Sequence, residues 1–221
     1  MTHSALVLYI GEKNVSSWSM RAWLGMHHKG LEFEERSVAL VGDKDRARRR
    51  AVSPTGKVPV LHHGDLVIPD SLAILEYLEE TFPAPTHPPL WPADKRARSR
   101  ARWLAAAMHS GFMQLREGMS FNHCFLPHPP PPPPEALAEA AEMLALFEET
   151  LAAPASPGRF LFGDFSAADC MFAPAIVRLK SFRVPASRWP LSAEYLDAVL
   201  GHPPVARWLE EARRLPPRET Y

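Results

Sequence analysis

The 221-residue chain holds only two cysteines, Cys124 and Cys170, with no metal-ligand spacing between them. A disulfide-stapled scaffold and a cysteine-based zinc centre are therefore excluded, and a reducing cytoplasm is the simplest compartment. An excess of one charge is also missing, with 25 basic against 25 acidic residues. Residues 1–82 carry 10 basic and 11 acidic side chains, so neither half is cationic enough to neutralise a phosphate backbone, and a nucleic-acid partner is not expected. No apolar run approaches the roughly 20 residues that span a bilayer, so no membrane partner is expected. The start, Met1-Thr-His-Ser4, lacks a charged lead followed by a long apolar run, so no secretory leader is expected. The pairs His27-His28 and His62-His63 have no acidic partners at ligand spacing, and no metal is expected.

What is present suffices for a core. Apolar residues make up 46% of the chain, the usual share for a soluble globular protein. Proline is abundant, 24 residues with six in the run Pro129–Pro134, about twice the average share of about 5%. That run reads as polyproline II.

Leu6–Ile10 is a short apolar, β-branched and aromatic run ending at Gly11, which reads as a buried strand. Asn14–Ser19 is rich in helix-capping residues and leads into Met20, Trp23 and Leu24 at i, i+3, i+4, an amphipathic helix closing near Gly30. Leu31–Leu40 reads as a second strand, completing a β-α-β unit with a parallel pair. Asp43–Arg50 is a charged helix or turn, and Ser53–Gly56 is a turn. Lys57–Leu61 and Asp65–Ile68, joined across Gly64, read as an antiparallel hairpin. Asp70-Ser71 then caps a helix with Leu72, Leu75, Leu78 and Phe82 on one stripe. Residues 1–82 thus form a compact α/β domain.

Residues 83–91 contain four prolines and read as a stiff linker. Residues 92–221 read as all-helical, with helices expected over 93–119, 135–152, 166–182, 192–200 and 203–214. The third opens with a capping-box-like Ser166-x-x-Asp169.

Four segments, in this order and spacing, resemble the glutathione transferases: Ser16-Ser-Trp-Ser-Met-Arg21, Gly56-Lys-Val-Pro-Val-Leu61, Asp70-Ser-Leu-Ala-Ile-Leu-Glu-Tyr-Leu78 and Phe160-Leu-Phe-Gly-Asp-Phe-Ser-Ala-Ala-Asp169. The resemblance covers nearly the whole chain and is strongest to the serine-type zeta and tau classes. It implies a thioredoxin-like N-terminal domain followed by an all-α helical bundle. It also implies glutathione as co-substrate, a hydrophobic electrophile as second substrate, a role in detoxification and a homodimer in the cytoplasm.

In thioredoxin-like domains a Cys-x-x-Cys stands where the first strand turns into the first helix. Ser16, Ser17, Trp18 and Ser19 hold those positions here, so disulfide exchange is excluded. A hydroxyl at a helix N-terminus can instead donate a hydrogen bond to an incoming thiolate, with help from the helix dipole. The resemblance makes Ser16 the donor, with Ser17 the close alternative. It also implies a cis bond at Val58-Pro59 that presents the Val58 backbone to the cysteinyl part of glutathione, and Lys57 against the glycyl carboxylate. Ser71 would hold the γ-glutamyl carboxylate, and Asp70 the γ-glutamyl ammonium. Lys44 and Arg48 lie in a segment that often binds the glycyl end. Met108, Phe112 and Arg116 are the candidates for the second-substrate pocket, with Arg116 suited to an anionic or electron-poor compound. Glutathione-dependent cis–trans isomerisation is the enzymatic alternative, although the zeta-like motif has a cysteine where Trp18 stands. A non-catalytic module built on the same fold is the alternative from another class.

Overall fold

The protein was examined as a computed structural model that describes residues 5–40, 43–152 and 158–218, without the side chains of residues 43 and 44. Four strands, β1 (Leu6–Ile10), β2 (Glu34–Ser37), β3 (Val60–His63) and β4 (Leu66–Ile68), form one sheet in the order β2-β1-β3-β4. β1 runs parallel to β2, while β3 is antiparallel to both β1 and β4. The alternation in β1 buries Leu6, Leu8 and Ile10 beneath α1 (Ser17–His28) and α3 (Ser71–Thr81). α1 and α3 pack closely: a Cβ added at Gly25 would fall 2.2 Å from a Leu75 methyl. α2 (Asp43–Val52) is the charged segment expected.

β2 is shorter than the predicted Leu31–Leu40, and its four residues are exposed. It is held by pairing to β1 rather than by burial, so its apolar flanks misled the reading. β3 begins three residues later than predicted because the Val58-Pro59 bond, which is cis, interrupts the extended run.

The linker is fixed to the first domain. Lys29 Nζ, fully buried, pairs with Glu79 Oε2 at 2.5 Å and donates to the Phe82 carbonyl at 2.9 Å. Glu79 Oε2 also accepts the Leu90 N–H at 2.8 Å.

The long helix expected over 93–119 is two helices, α4 (Lys95–Ser110) and α5 (Met113–Gly118). Gly111 ends the first, and Phe112 takes a left-handed conformation at φ 55°. That turn seats the Phe112 ring edge-on to Phe172, 6.3 Å between centroids. A short 3₁₀ turn (Asn122–Phe125) follows, then α6 (Pro134–Leu151), α7 (Ala167–Ser181), α8 (Pro190–Leu200) and α9 (Pro203–Arg213). Three of these begin on proline, whose fixed φ suits the first helical turn. The proline run ends by starting α6, and Pro133 at φ −70° and ψ 157° has polyproline II geometry.

α7 is buried along almost its whole length and packs on α1, α4 and α8. The predicted capping box is formed: Asp169 Oδ2 accepts from the Ser166 N–H at 2.8 Å and the Ser166 hydroxyl at 2.7 Å. Tyr195 donates to Asp169 Oδ1 at 2.9 Å. α9 returns to α1, where Trp208 meets Trp23 edge to face, 5.3 Å between centroids. The Lys13 ammonium lies 4.8 Å from the Trp23 ring and 5.2 Å from the Trp208 ring.

Candidate active site

A cleft of about 610 Å³ opens where the start of α1 meets the helical half, within the range of small-molecule sites. Ser16, Ser17, Lys57, Val58, Asp70, Ser71 and Arg116 all line it. Met108 does not: it is fully buried on the core side of α4. Phe112 is turned onto Phe172 by the break between α4 and α5 and is not among the cleft residues. The Lys44 side chain lies outside the described residues.

Ser16 is the N-cap of α1. Its Oγ accepts the Ser19 N–H at 3.3 Å and lies 2.7 Å from Ser19 Oγ. Ser19 Oγ accepts the Gly11 N–H at 3.1 Å, and its hydroxyl proton has no acceptor other than Ser16 Oγ among the described residues. Since Ser19 is fully buried, the favourable direction is Ser19 donating to Ser16. Ser16 then receives two hydrogen bonds and keeps its own proton free for the cleft. Ser17 accepts from Arg178 Nη2 at 3.3 Å.

At the start of α3, Asp70 Oδ1 accepts the N–H groups of Leu72 and Ala73, both at 2.9 Å. Its Oδ2 stands 3.3 Å from His109 Nε2 on α4. Ser71 Oγ is buried and unpartnered among the described residues. A buried hydroxyl without a partner is rare and suits a ligand acceptor.

The far wall is cationic. The guanidinium group of Arg116, which lines the cleft, lies 4.6 Å from the Trp18 ring centroid, and that of Arg21, buried and not among the cleft residues, lies 4.1 Å from it. Arg178 enters from α7, donating to the carbonyls of Met119 at 2.7 Å and Pro174 at 3.1 Å. None of the three forms an ion pair with a carboxylate among the described residues, and Nε and Nη1 of Arg21 are buried without partners. Burial, reinforced by Arg116 and Arg178 and opposed by Asp70, holds Arg21 well below its ordinary value. Burial lowers Arg178 to about 10, and it lowers Arg116 as well. Guanidinium groups keep their charge in proteins, so Arg116 and Arg178 make this side of the cleft positive.

Sequence reading missed His109, Asn122 and Arg178 as cleft residues. Arg178 had left one signal, an arginine inside the otherwise apolar helix of α7. Among the described residues no group of three or more histidine, cysteine, aspartate or glutamate side chains could hold a metal.

This arrangement defines a class: a thioredoxin-like domain with serines at the positions of the Cys-x-x-Cys, joined to a helical bundle, with a cleft at the start of the first helix. The glutathione S-transferase N-terminal domain model matches residues 15–81, and the C-terminal domain model matches residues 98–211. Glutathione S-transferase 1 of Dianthus caryophyllus is 32% identical over 85% of this chain and 84% of its own. A Burkholderia glutathione transferase homolog solved with bound glutathione is 31% identical with a TM-score of 0.71, covering 96% of this chain and 99% of that one. A maleylacetoacetate isomerase from Methylobacterium extorquens, solved with bound malonate and glutathione, is 30% identical with a TM-score of 0.66 over 95% and 98%. The chain belongs to the glutathione S-transferase family, and it is an enzyme that uses glutathione as co-substrate.

Proposed function

We propose that Ser16 donates its free hydroxyl proton in a hydrogen bond to the glutathione thiolate, which then attacks an electrophilic carbon of a compound bearing an acidic group. The attack forms the carbon–sulfur bond and expels a leaving group, or adds across an activated double bond. Ser16 stays unmodified. Val58, Asp70, Ser71 and Lys57 supply the cradle: backbone pairing for the cysteinyl part, the ammonium partner, the γ-glutamyl carboxylate site and the glycyl carboxylate partner.

The observation that carries the substrate class is the pair of guanidinium groups lining the cleft, Arg116 against Trp18 and Arg178 beside Ser17, neither of which forms an ion pair among the described residues. Two cleft-lining arginines without an ion-paired carboxylate favour an anion that arrives with the ligand. A purely hydrophobic electrophile would leave them unmatched. The bound malonate of the Methylobacterium relative, a dicarboxylate, supports the same reading and keeps glutathione-dependent isomerisation as a second one. One rate panel tests both. A neutral chloro-nitroaromatic, its carboxylate-bearing counterpart and maleylacetone are compared at equal glutathione. The acidic electrophile is expected to turn over with about 10-fold higher kcat/KM than the neutral one, the effect of one charge-assisted contact. Equal rates for the two aromatics would remove the anion reading. Isomerisation faster than both conjugations would make isomerisation the principal activity.

His109 gives a pH test of the cradle. Burial lowers its pKa from 6.5, Asp70 pulls it up, and Arg21 and Arg116 push it down. The ring is therefore neutral at pH 7. In acid, below its lowered pKa, it takes up a proton, pairs with Asp70 and opposes the glutathione ammonium. Affinity for S-methylglutathione, which has no thiol to titrate, is expected to be full at pH 7–8 and to fall in acid. Calorimetry on His109→Gln should give a flatter profile, and identical profiles would separate His109 from the ammonium site.

A homodimer remains part of the proposal. Leu66 and Val67 on edge strand β4, with Trp103 on α4 and Met113 on α5, are exposed apolar residues of the kind an interface covers. A cytoplasmic location fits the two free cysteines.

A further inference from the structure

The loop that delivers Ser16 is held from behind by the C-terminal segment. The Glu12 carbonyl accepts the N–H groups of Val15 at 2.9 Å and Ser16 at 2.8 Å, so Glu12 sets the turn into α1. Its carboxylate accepts the Leu40 N–H on Oε2 at 3.2 Å and Arg218 Nη2 on Oε1 at 2.9 Å. Lys13 pairs with Glu211, and its carbonyl accepts Trp208 Nε1–H at 3.1 Å. Asn14 Nδ2 donates to the Pro216 carbonyl at 2.8 Å. Three consecutive loop residues are thus each tied to α9 or to the segment that follows it. The same Arg218 reaches the opposite wall, where its carbonyl accepts Asn122 Nδ2 at 2.8 Å. Asn122 Oδ1 in turn accepts the Ser120 hydroxyl at 2.5 Å, and both residues line the cleft with Leu40.

We infer that Arg218 is a positioning residue for the thiolate site. Through Glu12 it fixes the turn that aims Ser16, and through Asn122 it sets the spacing of the facing wall. Pro216 and Pro217 restrict the backbone before it, so the segment acts as a stiff brace rather than a tether. The inference rests on Ser16 meeting the sulfur. The pair is partly exposed, with side-chain exposures of 38% for Arg218 and 17% for Glu12, and a single ion pair of this kind adds modestly to global stability. A small displacement of a donor from a reacting atom, however, costs rate steeply. Arg218 is therefore expected to matter for chemistry far more than for folding.

The test uses the full chain. Arg218→Gln is compared with wild type for the thiolate absorbance of bound glutathione, kcat, KM for glutathione and melting temperature. The expected result is about a 10-fold loss of kcat and a smaller thiolate fraction at pH 7, with KM and melting temperature nearly unchanged. Arg218→Lys, which keeps a cation for Glu12, should recover most of the loss. Glu12→Gln should reproduce it, and the double variant should add little to either single one. Unchanged thiolate fraction and kcat in Arg218→Gln overturn the inference. So does a loss confined to melting temperature and KM, which marks a merely structural role. Ser16→Ala separates the two levels. If it lowers the thiolate fraction and Arg218→Gln does not, only the brace fails. If it leaves the thiolate untouched, the Ser16 reading fails and the brace with it.

Discussion

Ser16→Ala is expected to lower kcat/KM by about 100-fold, the effect of removing one charge-assisted hydrogen bond of about 2.7 kcal/mol. The size of the loss separates two roles that one hydroxyl plays. As N-cap of α1, Ser16 accepts the Ser19 N–H, and losing a cap costs about 1 kcal/mol of stability with no change in any ionisation. As donor to a thiolate, it lowers the thiol's pKa below the ordinary value of about 8.5. Removing the donor destabilises only the charged form. The rising limb of the pH–rate profile should therefore move to higher pH by one to two units. A variant that melts a few degrees earlier yet keeps the wild-type profile would assign Ser16 to capping alone. Ser17 Oγ accepts from Arg178 and so also keeps a proton to donate; Ser17→Ala is therefore the control for the alternative donor, and it should fall well short of the Ser16→Ala loss. Its effect should appear as a looser Arg178 rather than as a shifted thiol.

The second large effect is expected at Arg116. Arg116→Leu should raise KM for a carboxylate-bearing electrophile by about 30-fold while leaving a neutral electrophile within about two-fold. Arg116 is the informative member of the cleft-lining pair. Among the described residues its hydrogen bonds are long, from Nη1 to the carbonyls of His109 at 3.4 Å and Gly111 at 3.3 Å, so little folding energy depends on them. Arg178 also braces the Met119 and Pro174 carbonyls from a fully buried position, and its loss would confound stability with binding. Arg116→Lys should recover part of the affinity, since it keeps the charge but loses the flat stack on Trp18. Steady-state kinetics on matched acidic and neutral substrates decide the point. Equal losses on both would show that Arg116 supports the cleft wall rather than reading a charge.

Much of this was legible in the sequence for local reasons. The hydroxyl-rich stretch before α1, the Asp-Ser start of α3 and the Ser166-x-x-Asp169 box are short-range signals, each set by caps that depend on neighbours a few positions away. What stayed hidden depends on distant contacts. Periodicity carried the long helix through Gly111 and Phe112, because the aromatic partner of Phe112 lies sixty residues on, at Phe172. Met108 lies within α4 before that break and faces the core, because periodicity marks an apolar stripe without saying which neighbour it meets. β2 was overlong because strand pairing, not burial, defines it. Arg178 and His109 sit on helices whose other residues read as packing surface, and only the approach of α7 to Ser17 and of α4 to Asp70 gives them a role.

The tryptophan pair has a practical consequence. Trp23 comes from the first half of the chain and Trp208 from the last helix, and they share one lysine ammonium between their rings. Indole emission depends on nearby charge and on a close second indole, so any parting of the two halves would change the intrinsic fluorescence. The molecule thus carries a built-in optical gauge of domain separation, readable in real time without a dye.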